Sequence, residues 1–474
     1  MTLPSSFYMN CLEGLLKPQF VTQSPSLLPF AEKDYAYCVR RFSAEGAAFL
    51  TVALPSLRKA IDLSFQTGTL EPPKSFGLMT NKGYPAFLSS HFSRIYNDDG
   101  SLLAKPSVTR IKHVRQVCDA FYKLELPYSK ATIASTLDSF ISNEERVSNW
   151  VDSVVDDPPY TWASQLITGA AWLTRYVFRG FDPMDIVPRH GPGKLATGEI
   201  GEGKWNFTSY PRQMQRVYAA WSYLYGNPKM FEDNLDAFRN LDRPERGRSK
   251  VKLVPKDSRG PRIITMEPNS NQFLQQGLGR SIMRWLETRS LTKGRINFID
   301  QEVNQYLALS SSISGEWATL DLKDASDLLS AHLVERVFRM KPKIAACLLA
   351  VRTPETLLPN GTVTELKKYA GMGSACCFPI EAYVFFAICV SAIAQELGIG
   401  LREACEFVYI YGDDIIVPTD LSDLVMAALH CVGLTVNVQK SYTKGLFRES
   451  CGVDAFAGFN VTTQKVHKLF PAGL

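Results

Sequence analysis

A chain of 474 residues is long for one hydrophobic core and has the size of an enzyme with several subdomains. Its 45% hydrophobic and 21% charged residues exclude a disordered or fibrous protein. The formal net charge is only +5, yet nine Lys and Arg crowd between Arg239 and Arg262 against Asp242, Glu245 and Asp257, which suits a polyanion that enters one channel.

The start, MTLPSSFYMNCLEGLL, lacks the basic residues and long apolar stretch of a signal peptide. Apolar positions at helical spacing predict helices within 34–65, 111–122, 130–140 and 162–177. Two loop-rich stretches, 70–84 and 182–205, interrupt them. The second mixes glycines with Arg189, His190, Lys194 and Lys204, and reads either as a surface loop or as a backbone-rich phosphate contact. Past Val251, the runs VKLVP, RIITM, WATLDL, FVYIY and DIIVP predict strands, alternating with helices at 271–287, 325–338, 379–396 and 421–432. The fold class is α/β in content and α+β in arrangement, because no Gly-rich strand-to-helix loop marks a doubly wound sheet. The apolar segment 382–394 is shorter than the ~20 residues that span a bilayer, which predicts a buried helix and no membrane partner. Ten cysteines without a CxxC pair and six scattered histidines read as reduced core residues of a cytosolic protein.

Chemistry concentrates in two segments. In EFVYIYGDDIIVP, apolar strands flank Gly412, Asp413 and Asp414, which predicts a tight hairpin with two carboxylates at its tip. Gly and Asp also populate plain solvated turns. In WATLDLKDASDLLSAHLVERVF, Asp321 interrupts an apolar strand, where a lone carboxylate is costly and needs a cation, either Lys/Arg or a metal. Asp324 reads as the cap of a helix starting near Ala325. With Asp321 and the hairpin on neighbouring strands, three acids would converge. Two divalent cations about 3.5–4 Å apart would neutralise them and serve a phosphoryl transfer. Mg2+ is the first choice, with Mn2+ as a substitute.

Five segments carry a family resemblance: VPKDSRGPRIITMEPNSNQFLQQGLG (254–279), DQEVNQ (300–305), TLDLKDASD (319–327), GMGSACCFPIE (371–381) with YGDD (411–414), and FRESCG (447–452). Their order and spacing resemble the viral RNA-directed RNA polymerases, specifically the replicase beta subunit of small positive-strand RNA bacteriophages. The resemblance spans roughly residues 250–468. It implies a right-hand polymerase with fingers and palm: N-terminal and fingers elements in 1–250, fingers with a basic nucleotide path in 251–310, and the catalytic palm in 311–461. Residues 462–474 would begin a thumb that is short or missing.

By that resemblance Asp321, Asp413 and Asp414 hold two metal ions, and Asp327 lies near the sugar of the incoming nucleotide, where an acceptor reads a 2′-hydroxyl. Lys252, Lys256, Arg259 and Arg262 face the triphosphate. Gly373 and Ser374 hold template base and ribose, and Lys440 stands beside the leaving pyrophosphate as a general acid, a surface lysine being the plain alternative. Arg448 and Glu449 support the primer strand or pair with each other. Gly371 and Cys377 depart from the Ser and Thr usual in the loop and helix that carry Gly373.

The implied function is replication of a viral positive-strand RNA in the cytoplasm of an infected bacterial host. The partners are RNA template and product, ribonucleoside triphosphates, elongation factors Tu and Ts and a ribosomal RNA-binding protein. A reverse transcriptase shares this chemistry, but Gly412 and the lack of a bulky ribose-excluding residue just after Asp321 speak against it. A third reading is an RNA-binding relic of the palm, although a relic need not retain all three acids.

Overall fold

The computed structural model describes residues 5–18, 24–156 and 158–467. Ten strands occur among them. The first five are β1 (Arg248–Asp257), β2 (Gly260–Met266), β3 (Trp317–Leu320), β4 (Glu355–Leu357) and β5 (Val363–Glu365). The others are β6 (Tyr409–Tyr411), β7 (Asp414–Pro418), β8 (Phe447–Ser450), β9 (Val453–Phe456) and β10 (Phe459–Asn460). They form three small sheets, ordered β2–β1–β4–β5, β3–β7–β6 and β10–β9–β8. Helices supply the rest, so the fold is α+β.

Strand alternation sets the faces of the first sheet. Lys250 and Lys252 are exposed on β1 while Ser249 and Val251 are buried. The antiparallel register pairs Lys252 with Ile264 and Val254 with Arg262, so Lys250, Lys252 and Arg262 share one face. The apolar face, with Val251 and Ile263, packs on Phe140 of helix Lys130–Val154.

The main core is threaded by helix Cys377–Leu397, apolar on all sides and buried continuously from 379 to 394. It is long and apolar enough to cross a membrane, but 94% of its most apolar window is buried inside the protein, as expected of a core helix. Helix Trp162–Val177 lies along it. The Tyr383 hydroxyl donates to Thr174 Oγ1 at 2.9 Å, and Gly169 leaves room for Ser391, which any Cβ there would strike.

A second core gathers the N-terminal helices Leu28–Glu45, Leu54–Thr67 and Val108–Asp119. Tyr442, Phe447, Phe456 and Val461 enter it from the far end of the chain, with the Phe65 ring 4.7 Å from that of Phe456.

Several elements differ from the sequence expectation. The helix of 34–65 is two, separated by Gly46 at φ 60° and a π-turn at Phe49–Ala53. The helix of 325–338 breaks at Leu329, which turns extended, and Ser330 caps the second piece by accepting the Leu333 N–H. Glycine-rich 182–205 is pinned rather than loose: Lys204 is buried and donates to the carbonyls of Gly191, at 2.6 Å, and Gly193. All ten cysteines are free thiols.

Candidate active site

The Gly-Asp-Asp hairpin forms as its sequence predicts. Tyr411 pairs with Asp414 across β6 and β7, leaving Gly412 and Asp413 as a two-residue turn. Gly412 has φ 62° and Asp413 does not, as a type II′ turn requires. A Cβ on Gly412 would overlap the Phe378 ring at the start of the core helix. On the other side of β7, Leu320 of β3 pairs with Ile415. Continuing that antiparallel register by one residue sets Asp321 opposite Asp414.

Asp321 is held on several sides. Its Oδ2 accepts from Asn437 Nδ2 at 2.8 Å, and Lys440 Nζ stands 3.8 Å from the same oxygen. Its backbone N–H donates to Ser441 Oγ at 3.1 Å, and its carbonyl accepts from the Asn437 N–H at 2.8 Å. Burial pushes the Asp321 carboxyl above the usual carboxylate range and Asp413 adds to this, against the pull of Lys440. Asp414 is pushed up to about 7 by burial, then by Asp413, Glu449 and Asp321, while the Cys451 N–H donating at 3.2 Å opposes the shift. Burial alone would lower the Lys440 ammonium, but Glu449, Asp321, Tyr122 and Asp414 raise it, so it stays charged.

This is a cluster of like charges around one ammonium. Its carboxylates come from the end of β3, the β6–β7 turn and β8. The sequence alone does not mark Glu449 as a member, because in FRESCG it stands beside Arg448 and reads as its ion-pair partner. The two do not pair. Neighbours on a strand point to opposite faces, and Arg448 instead donates to the carbonyls of Trp317 (2.6 Å), Phe447 (2.7 Å), Gly445 (3.0 Å) and Lys444 (3.3 Å).

Residues 238–470 match the family described as RNA replicase, beta-chain. The chain is 36% identical over 214 residues to the RNA-directed RNA polymerase subunit beta of Qbeta virus (strain MX1), covering 45% of this chain and 34% of the relative. The corresponding protein of Enterobacteria phage SP is 36% identical over 243 residues, 51% of this chain and 40% of its own. The beta chain of Escherichia phage MS2 is 34% identical over 211 residues, 44% and 36% of the two chains. The chain thus spans well under half the length of the curated relatives it matches. Within that span it is a relative of the RNA phage replicase beta subunits.

The remaining candidate residues lie within the replicase-like segment. Lys256 and Arg259 sit at the β1–β2 turn, which the N-terminal helical region clamps: Tyr128 donates to the Asp257 carbonyl at 2.9 Å, and Ser258 Oγ donates to the Thr51 carbonyl at 3.1 Å. Arg259 pairs with Asp257 at 2.7 Å and stacks over Tyr122 at 5.0 Å. Burial lowers the Lys256 ammonium and Arg262, Arg259 and Lys440 lower it further, against the pull of Asp257. Lys252 is exposed further down β1, and among the described residues no hydrogen bond or ion pair ties it to the acids. Gly373 (φ 129°) and Gly371 abut Thr265 of β2, whose N–H donates to the Met372 carbonyl at 2.8 Å. The small residues therefore let this loop lie against a strand. Ser374 is buried and its Oγ accepts from the Cys376 N–H at 3.4 Å at the head of the core helix.

Asp324 is not the side-chain cap expected. It has φ 52° and makes no capping bond through its carboxylate; its carbonyl accepts from Asp327 and Leu328. Asp327 lies in the first turn of the short helix Ala325–Leu328, and its Oδ1 accepts from Lys368 Nζ at 2.8 Å.

The hard oxygens of Asp321, Asp413 and Asp414 fit Mg2+ or Mn2+ in kind, and the repulsion that raises Asp321 and Asp414 is what divalent cations would relieve. Among the described residues, however, no three Asp, Glu, His or Cys side chains converge tightly enough to ligate one ion. Asn437 Nδ2 and Lys440 Nζ lie 2.8 and 3.8 Å from the Asp321 carboxylate.

Proposed function

We propose that the chain is the catalytic subunit of an RNA-directed RNA polymerase, a nucleotidyltransferase that copies a positive-strand viral RNA from ribonucleoside triphosphates. The observation that carries this is Asp321 at the end of β3, set by register opposite Asp414 of the Gly-Asp-Asp turn, with Lys440 Nζ 3.8 Å from its carboxylate. In the proposed right-hand arrangement residues 1–310 supply N-terminal and fingers elements and 311–461 the palm. Of the thumb start at 462–474, residues 468–474 lie outside the described residues.

Asp321, Asp413 and Asp414 would hold two Mg2+ ions, or Mn2+, which when bound acidify a 3′-hydroxyl and balance charge on the leaving group. The chain's own residues do the rest. Lys256, Arg259 and Arg262, with Lys252 further out, attract and orient the triphosphate. Asp327 accepts from the 2′-hydroxyl, and Gly373 and Ser374 support the template base. The hydroxyl gives up its proton to solvent and attacks the α-phosphate, the bond to pyrophosphate breaks, and Lys440 Nζ gives a proton to the departing oxygen. The relatives are phage proteins, so the proposed setting is the cytoplasm of an infected bacterium, with elongation factors Tu and Ts and a ribosomal RNA-binding protein as partners.

The test is incorporation of labelled ribonucleotides on an RNA template in Mg2+, with and without the elongation factors. Asp413→Asn is expected to abolish incorporation while leaving RNA binding intact. Equal incorporation by parent and variant overturns the assignment of the site.

A further inference from the structure

The carboxylate of Asp327 is held by a side chain that is itself held from outside the replicase-like segment. Lys368 has a fully buried side chain, and its Nζ lies 2.8 Å from Asp327 Oδ1 and 3.1 Å from Glu144 Oε1. The other oxygen of Glu144 accepts the backbone N–H groups of Lys367, at 2.6 Å, and Lys368, at 3.3 Å. One turn earlier on the same helix, Lys130–Val154, the Phe140 ring lies 3.5 Å from Lys368 Nζ. The ammonium is thus enclosed by an aromatic face and two carboxylates, a buried charge that is paired rather than stranded.

Two consequences follow for Asp327. Its Oδ1 is spent on Lys368, while Oδ2 makes no hydrogen bond within the described structure and the side chain keeps 26% of its surface exposed. One positive charge shared between two carboxylates leaves the pair net negative, so Oδ2 remains a strong acceptor in a fixed orientation. Asp327 also lies near the head of the core helix: helix Ala325–Leu328 packs against helix Cys377–Leu397, and the Glu381 carboxyl, pushed up to about 8 by burial and then by Asp413, is raised further by Asp327.

We propose that Lys368 and Glu144 are positioning residues that aim Asp327 at the sugar of the incoming nucleotide, so that ribose selection depends on a helix outside residues 238–470. This rests on the polymerase reading above. A preorganised acceptor gains from a 2′-hydroxyl and is left unpaired by a deoxyribose. Loss of the clamp frees Asp327 to rotate and removes that difference. Neutralising Glu144 gives Lys368 wholly to Asp327 and weakens Oδ2 as an acceptor.

The test uses the full chain as parent, Lys368→Met, the nearly isosteric Glu144→Gln, and Asp327→Asn. Single-nucleotide incorporation of ATP and dATP gives the ratio of their kcat/KM values, and equilibrium binding of the same two nucleotides is measured alongside. The expected result is a roughly tenfold fall of the ribo/deoxy ratio in Lys368→Met and a smaller fall in Glu144→Gln. Lys368→Met combined with Asp327→Asn should lose no more than Asp327→Asn alone. A purely structural clamp would lower both nucleotides together and leave the ratio unchanged, which overturns the proposal even in a parent that polymerises. In a parent that incorporates neither nucleotide the polymerase reading fails separately, and the ATP/dATP binding ratio decides: a Lys368-dependent preference supports the clamp, and equal ratios reject it. Thermal unfolding of each variant identifies any that fails to fold, and Glu144→Gln then decides alone.

Discussion

Arg115 Nη2 meets Asp454 Oδ2 at 2.8 Å, joining residues 339 apart in the chain. Arg115 is wholly buried, and its Nε bonds Asp62 Oδ1 at 2.8 Å. Arg58 reaches Asp119 at 3.2 Å, and Lys465 reaches the same carboxylate at 3.2 Å. This network fastens two N-terminal helices to β9, next to the strand that carries Glu449.

Replacing Arg115 by Met is expected to cost about 3–5 kcal/mol, because two buried carboxylates lose the cation between them. Urea unfolding of parent and variant measures it. An unchanged midpoint would mean that the network contributes specificity and no net stability.

Gly412→Ala should disrupt the turn twice over, through its left-handed φ and through overlap with Phe378. The backbone strain amounts to about 1–2 kcal/mol, and nucleotide incorporation should fall at least tenfold as Asp413 and Asp414 move. Adding Phe378→Leu relieves the overlap alone, so partial recovery of incorporation is the diagnostic outcome.

Lys440 separates two roles by substitution. Lys440→Met should reduce kcat by roughly 10–100-fold with little change in KM. Arginine keeps the charge but does not surrender a proton. A low kcat in Lys440→Arg marks proton donation to the leaving group, whereas recovery marks electrostatic support of Asp321.

Asp34 offers a pH signature remote from these acids. Burial pushes its carboxyl up to about 7, against the Leu88 N–H that donates to it at 2.9 Å. The native state therefore keeps a proton that the unfolded chain has already lost, and stability falls as pH rises from about 4 to 7. Asp34→Asn retains the acceptor and removes the titration. It should match the parent near pH 4 and exceed it at pH 8, by on the order of 2–4 kcal/mol. Parallel stability curves across that range would show that Asp34 ionises freely in the fold.

The sequence made the centre of the site legible and its supports illegible. Asp321 stood out because an acid inside WATLDL has no local reason to be there, and YGDD because strand residues flank it on both sides. Glu449 sits in FRESCG beside an arginine and looks satisfied, although the strand sends the two side chains opposite ways. Arg115 in VTRIKHVRQVCD resembles any charged residue on an amphipathic helix, since its partners lie 53 and 339 residues away. Glu144 and Lys368 are 224 residues apart and leave no periodic trace. Short β4, β5 and β10 carry too few residues for alternation to register.

The N-terminal core is closed by Phe447, Phe456 and Val461. At a synthesis rate of about 5–20 residues per second, Asp454 leaves the ribosome roughly 17–70 seconds after Arg115. Throughout that interval the first helices hold an unfinished core and an arginine short of a partner. Helices made early are thus among the last to gain their full core and their full set of ion pairs.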